Sequence, residues 1–300
     1  MPQIHRRDFL KTAAATAAAL AFAPRRLFAE AAAPAARVVV AHGTDVPRML
    51  AAGIAAVGGW SAFVKPGQKT TLKPNAGWAS TPEQGANTHP RLVEECIRAC
   101  LAAGASEVVL PENPCSPAAK SFAMSGIAAA AKNAGGRLYE PDDEKDFVEV
   151  DVPRGKILKQ VAVVRDVLET GCLINMPVAK SHRGATLTLG LKNWMGSVRD
   201  RGFWHRSGLH QCVADFATLV RPHLTIVDAT RIMVTNGPRG PGELKTTNQL
   251  VFGVDPVAVD AYAATLFGMQ PFDVPYIQIA HDTGLGCGDL AKVDVQHLEA

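Results

Sequence analysis

The sequence lacks most of the features that assign a protein to a class at once. Aromatic residues make up 6% of its 300 positions, so Ala, Val and Leu must fill the core, which suits layered packing of helices on a sheet. The six cysteines (Cys96, Cys100, Cys115, Cys172, Cys212 and Cys287) are scattered. They form neither the tight runs of an iron–sulfur ferredoxin nor the paired C-x-x-C of a zinc ribbon, and they predict no particular disulfide. Cys96 and Cys100 fall at i and i+4 of a predicted helix, where they are expected to pack inward. No G-x-G-x-x-G, Walker-type loop or G-x-S-x-G elbow occurs, which leaves nucleotide binding and serine hydrolase chemistry without specific support. No stretch after the N-terminal segment approaches the ~18 apolar residues of a membrane span. Net charge is also lacking. Of 31 Lys and Arg and 28 Asp and Glu, five and two respectively lie before residue 32, which leaves 26 of each. That balance argues against nucleic acid or an anionic membrane surface as a partner.

Signals begin at the N-terminus. His5-Arg6-Arg7-Asp8-Phe9-Leu10-Lys11 fits the twin-arginine pattern R-R-x-F-L-K. A mildly apolar Ala-rich segment (12–23) and small residues suited to cleavage (29–36) follow it. Residues 1–36 are therefore expected to be an export signal and linker, with the twin-arginine machinery as a partner and a periplasmic or extracytoplasmic destination. Residues 37–300 are expected to be an α/β domain. Export of already folded protein permits a cofactor loaded beforehand without requiring one.

Residues 38–41, 69–73, 108–110, 224–228 and 250–254 read as strands. Residues 91–103, 118–134, 209–220 and 274–281, with a segment opened by Asp255-Pro256, read as helices. Apolar strands alternating with helices predict a mostly parallel sheet covered on both faces, as one unit or as two lobes around a cleft. Residues 147–152 and 157–164 alternate about Pro153-Arg154-Gly155, predicting a small β-hairpin insertion.

The stretch 171–215 is the chemical centre. A short apolar run opens into Asn175, Lys180, His182, Lys192, Asn193, His205, His210 and Asp215, spaced by Gly184, Gly190 and Gly196. A buried strand running out into polar, glycine-spaced residues is how an α/β protein commonly builds a site. His182, Lys180 and Lys192 are the catalytic candidates, with His182 as acid/base. His205 and His210 are candidate metal ligands or proton carriers, against a structural or exposed role. Lys73, Asn75, Asn87, Thr88 and His89 lie at a strand end and a helix start, where free N–H groups favour a phosphate or carboxylate. The plainer alternative makes Thr88 a helix cap and Asn75 a turn residue. Asn175, Asn193, Asp228 and Asp260 complete the ligand-binding candidates; Asp228 can equally serve a turn, and Asp255 reads as an N-cap.

Several motifs resemble domain of unknown function 362: KPN at 73–75, GANTHP at 85–90, INMPVAKSH at 174–182, LKNWMG at 191–196, GLHQCVAD at 208–215, LTIVDAT at 224–230, TNGPRGPG at 235–242 and DPVAVDAYA at 255–263. Some members of that family carry a ferredoxin-type module, whose cysteines this chain lacks. A strand followed by K-x-H, a glycine-spaced lysine and a further histidine is also similar to the nickel-pincer lactate racemases. That resemblance implies a proton-transferring role for His182, a cofactor-holding role for Lys192, and nickel ligation by His205 or His210. His89 is the counterpart available for a second proton carrier. Together these readings predict an exported enzyme acting on a small anionic molecule, assisted by a divalent metal or nickel-type cofactor. The alternative is a non-catalytic periplasmic protein that binds a ligand or carries a cofactor.

Overall fold

Short runs rich in Val, Ile and Leu become strands where glycine, proline or asparagine bounds them, and burial on both faces makes the central ones nearly continuous in apolar residues. In the structure, a computed structural model in which residues 36–300 are described, the strands are β1 (Ala36–His42), β2 (Lys69–Pro74), β3 (Glu107–Pro111), β4 (Arg137–Tyr139), β5 (Phe147–Asp151), β6 (Gln160–Val164), β7 (Cys172–Met176), β8 (Val178–His182), β9 (Thr186–Thr188), β10 (Leu224–Met233), β11 (Leu244–Gly253) and β12 (Val293–Glu299). The main sheet runs β12-β1-β11-β10-β7-β2-β3-β4, with β8 paired to β10 and β9 to β8. Its pairings are parallel except those of β11 with β1 and β10, and that of β8 with β9. The expected hairpin is the separate antiparallel pair β5–β6. The export signal lies outside the described residues.

Alternation along β1 separates two apolar layers: Val38 and Val40 join one cluster, Val39 and Ala41 the other. Residues Ala36–Ala300 form one unit. The alternative of two lobes therefore gives way to two layers on opposite faces of one sheet.

Four strands were not expected, each for a physical reason. β12 is an edge strand with alternating exposure, pairing with β1 and containing no apolar run. β8 and β9 form a hairpin inside the polar stretch, setting Lys180 opposite Thr188 and His182 opposite Thr186. β4 has three residues. The helix expected over 118–134 is two helices, Ala118–Met124 and Ile127–Ala134, broken at Gly126, whose φ of 74° favours glycine. The N-cap of the helix Pro90–Ala102 is His89 rather than Thr88, and its Nδ1 accepts the Arg91 N–H at 3.2 Å.

Topology places the site. The chain runs from β2 through β3 to β4 at one edge, then returns to lay β7 on the other side of β2. Strand order reverses between β2 and β7, so the connections leaving their C-terminal ends diverge and open a crevice.

Candidate functional site

The floor of the crevice is a buried ion pair. Lys73, at the end of β2, is 0% exposed, and its Nζ donates to Glu112 at 2.9 Å and to the Pro74 carbonyl at 2.7 Å. Glu112 follows β3 directly and also accepts the Ala76 N–H at 2.8 Å. Gly196 must be glycine here, because a Cβ would stand 1.9 Å from Glu112 Oε1 and 2.8 Å from Lys73 Nζ.

Above the floor, side-chain amides lock the neighbouring segments together. Asn193 Nδ2 donates to Lys73 O at 3.0 Å and Asn175 Oδ1 at 2.9 Å. Asn175 Nδ2 donates to Gly190 O, and Asn75 Nδ2 to Asn193 Oδ1, both at 2.9 Å. Asp260 is fully buried and accepts the N–H groups of Gly190 and Leu191 at 2.7 and 2.8 Å. Burial pushes its carboxyl up to about 7, although both N–H donors favour the charged form. These bonds fix the short helix Gly190–Asn193, which carries Lys192.

A cavity of about 420 Å³ opens onto this network, lined by Lys180, His182, Lys192, Arg201, His205 and Glu112 among others. Lys180 is 1% exposed and donates to Asn75 Oδ1 at 3.0 Å and to the Ala86 carbonyl. Burial, with the nearby Lys192 charge, lowers its amine to about 7. In the neutral form its two hydrogens serve those two acceptors and its lone pair stays free. Lys192 is 6% exposed and has no hydrogen-bond or carboxylate partner among the described residues. Burial and the Arg201 charge bring it down to about 8.

His182 is held in one tautomer. The N–H groups of Gly184 and Ala185 reach its Nδ1 at 3.1 and 3.0 Å, so Nδ1 is the acceptor and Nε2 carries the proton. Burial and the charges of Lys192 and Lys180 drive its pKa down to about 3. The ring is therefore neutral at ordinary pH and offers a hydrogen bond rather than a basic nitrogen. It stacks on His205 at 6.2 Å with 16° between planes, and burial likewise lowers the His205 pKa. Arg201 clamps the loop after Glu112, donating to Asn113 O, Asn113 Oδ1, Pro114 O and Cys115 Sγ at 2.7–3.2 Å.

The other expected ligand-binding residues serve the scaffold. Asn87 bonds to the Trp78 N–H and carbonyl. The Thr88 hydroxyl accepts the Asn75 N–H at 2.8 Å and donates to Met176 O at 2.7 Å. Asp228 accepts the His89 N–H at 2.7 Å. With the Arg91 N–H taken by the His89 ring, two of the first donors at this helix start already have protein partners. His210 is not among the residues lining the cavity; it stacks on Tyr276 at 6.0 Å, close enough for the Lys192 charge to add to burial in lowering its pKa. Glu112, Cys115 and Arg201 went unnoticed in the sequence. Glu112 had a signal, since it follows β3 just as Asn75 follows β2; Arg201 had none.

The donors present do not by themselves fit a divalent cation. Glu112 is committed to Lys73, the His182 Nδ1 is filled by backbone N–H groups, and His210 lies elsewhere. What remains is the His205 ring and the Cys115 sulfur, beside the cations Lys192 and Arg201. Among the described residues no group of three or more His, Cys, Asp or Glu is placed to hold a metal. The metal site expected of His205 and His210 is therefore not assembled by these residues.

The fold and crevice define an α/β protein with a cationic cavity at a strand-order reversal. The family described as Domain of unknown function (DUF362) matches residues 70–265, more than half of the chain, and the chain belongs to that family. Residues 3–23 match the TAT (twin-arginine translocation) pathway signal sequence, which addresses the chain to the periplasm or extracytoplasmic space. No helix among the described residues is long and apolar enough to cross a membrane. The thylakoid-associated protein sll1697 of Synechocystis sp. is 24% identical over 246 residues, covering 76% of this chain and 72% of that protein. A Thermotoga maritima protein of solved structure overlaps with a TM-score of 0.49 at 9% identity, over 74% of this chain and 59% of its own. The lactate racemase apoprotein from Thermoanaerobacterium thermosaccharolyticum overlaps with a TM-score of 0.44 at 11% identity, over 73% and 54%. This chain thus spans less than two thirds of either of those two proteins.

Proposed function

We propose that this protein is an exported enzyme performing acid–base chemistry on a small anionic molecule. The observation carrying this reading is the cavity in which two buried lysines, an arginine and a single-tautomer histidine converge with one carboxylate, already paired. An anion is the natural guest for that charge. Arg201 and Lys192 attract it. Lys180 is the proton acceptor, because a base works best with a pKa near the ambient pH and its two N–H bonds aim the lone pair. His182 donates through Nε2–H to an oxygen on which charge develops, a task suited to a neutral imidazole.

The test is proton exchange. Purified exported protein is incubated in deuterated water with a panel of hydroxy, amino and oxo acids, and label at the carbon next to the carboxylate is read by NMR. Lys180→Met should abolish exchange, and His182→Ala should slow it by about 10² to 10⁴-fold. Unimpaired exchange in His182→Ala would remove that residue from the chemistry. A rise in melting temperature with these acids, but no exchange, would instead favour the non-catalytic binding protein.

A further inference from the structure

Three buried lysines converge on this crevice, yet their bonding leaves one without an assigned partner. Lys73 is neutralised by Glu112, and Lys180 is tied to two neutral oxygens. Lys192, 6% exposed, lines the cavity and meets no acceptor among the described residues. Its ammonium faces the cavity beside other cations and without a carboxylate partner, an arrangement that favours the neutral amine. Trp78 and Met195 contribute apolar surface to the same cavity. Arg201, whose two terminal nitrogens already donate to Asn113, Pro114 and Cys115, adds a permanent positive charge to the cavity wall. The His182 Nε2–H, without a protein partner among the described residues, is a donor suited to a carbonyl oxygen.

From this arrangement we infer that the cavity takes an oxo acid and that Lys192 captures its carbonyl carbon as a Schiff base. The inference rests on the small-anion reading above and narrows it to carbonyl-bearing anions. In the step, the neutral Lys192 amine attacks the carbonyl carbon and a C–N bond forms as the C=O π bond opens. One amine proton passes to the oxygen, giving a carbinolamine. The nitrogen lone pair closes the C=N bond as the C–O bond breaks, and the oxygen leaves as water with a proton taken from solvent. The nitrogen keeps its remaining hydrogen, so the product is the protonated Schiff base. No oxidant or reductant takes part. A lysine desolvated beside other cations is the established way to keep such an amine reactive near neutral pH, and its fall to about 8 agrees with the geometry.

Reductive trapping tests the inference. The folded wild-type protein is treated with glyoxylate and sodium cyanoborohydride, and with propanal as an uncharged control, followed by peptide mass spectrometry. The expected result is a saturable adduct concentrated on Lys192, several-fold greater with glyoxylate than with propanal, and lost in Lys192→Arg. Should Lys192→Arg not fold, mapping of the wild-type adduct decides alone. An adduct spread over exposed lysines, or none on Lys192, overturns the inference. Melting shifts measured with glyoxylate on the same samples separate the two ideas. A persisting shift leaves the small-anion reading intact while the Schiff base falls, and loss of both removes both.

Discussion

Lys73 and Lys192 stand at the same crevice, both largely buried, and differ in what surrounds their ammonium groups. Lys73 has a carboxylate and a carbonyl, which Ala76 and the missing Cβ of Gly196 help to hold in place. Lys192 has apolar walls and other cations. A buried charge with an opposite partner holds structure together; one without a partner is strained toward its neutral form and is available to a guest. Residue type is shared and both are largely buried, so the difference lies chiefly in the neighbours and in Lys192 facing the cavity.

The sharpest way to break this comparison is Lys73→Met. Glu112 would be left buried and uncompensated, and denaturant unfolding should show a loss of about 3–5 kcal/mol. Wild-type stability in that variant would mean the pair contributes nothing structural. Titration gives the next largest effect. An unfolded Lys180 keeps its proton to about its ordinary pKa of ~10.4, whereas the folded one releases it near 7. Between those values the unfolded chain binds more protons, so this residue makes stability rise with pH, by on the order of 1 kcal/mol per unit, and adds no slope below 7. Chemical denaturation at pH 7 to 9 should show that slope reduced in Lys180→Met relative to wild type.

Asp260→Asn sharpens the contrast from below. It leaves one of the two N–H groups at Gly190 and Leu191 without its acceptor, at about 1–3 kcal/mol of stability. It should also weaken any anion-induced melting shift, since the helix carrying Lys192 loosens. The smallest structural effect belongs to Lys192→Met. No described group loses a partner, so melting temperature at pH 7 should match or exceed wild type while the response to small anions disappears. A marked destabilisation would place Lys192 with Lys73 as a structural charge.

Much of this arrangement was legible in the sequence. The apolar runs of β3, β7 and the first half of β10 marked the parallel sheet, and the polar outflow after Ile174 marked the crevice. Less legible were elements defined by pairing: β12 carries no apolar run, and β9 is three residues stabilised by its register with β8. Among the site residues, Asn175, Asn193 and Asp260 were noticed for ligand binding, yet their donors and acceptors are spent on one another and on the backbone around Gly190. A buried asparagine that completes a network and one that meets a substrate look alike until the atoms at the ends of their bonds are known.

The sequence by itself determined the export address, the central apolar strands and their alternation with helices, and the set of amines, amides and imidazoles near the strand ends, because these depend on local pattern and composition. The tertiary structure alone decided that Glu112 neutralises Lys73, that two backbone N–H groups fix the His182 tautomer, that Arg201 joins the cavity and that Lys192 stands without a partner. Charge state and reactivity follow from burial and from neighbours distant in the chain, which only the folded arrangement brings together.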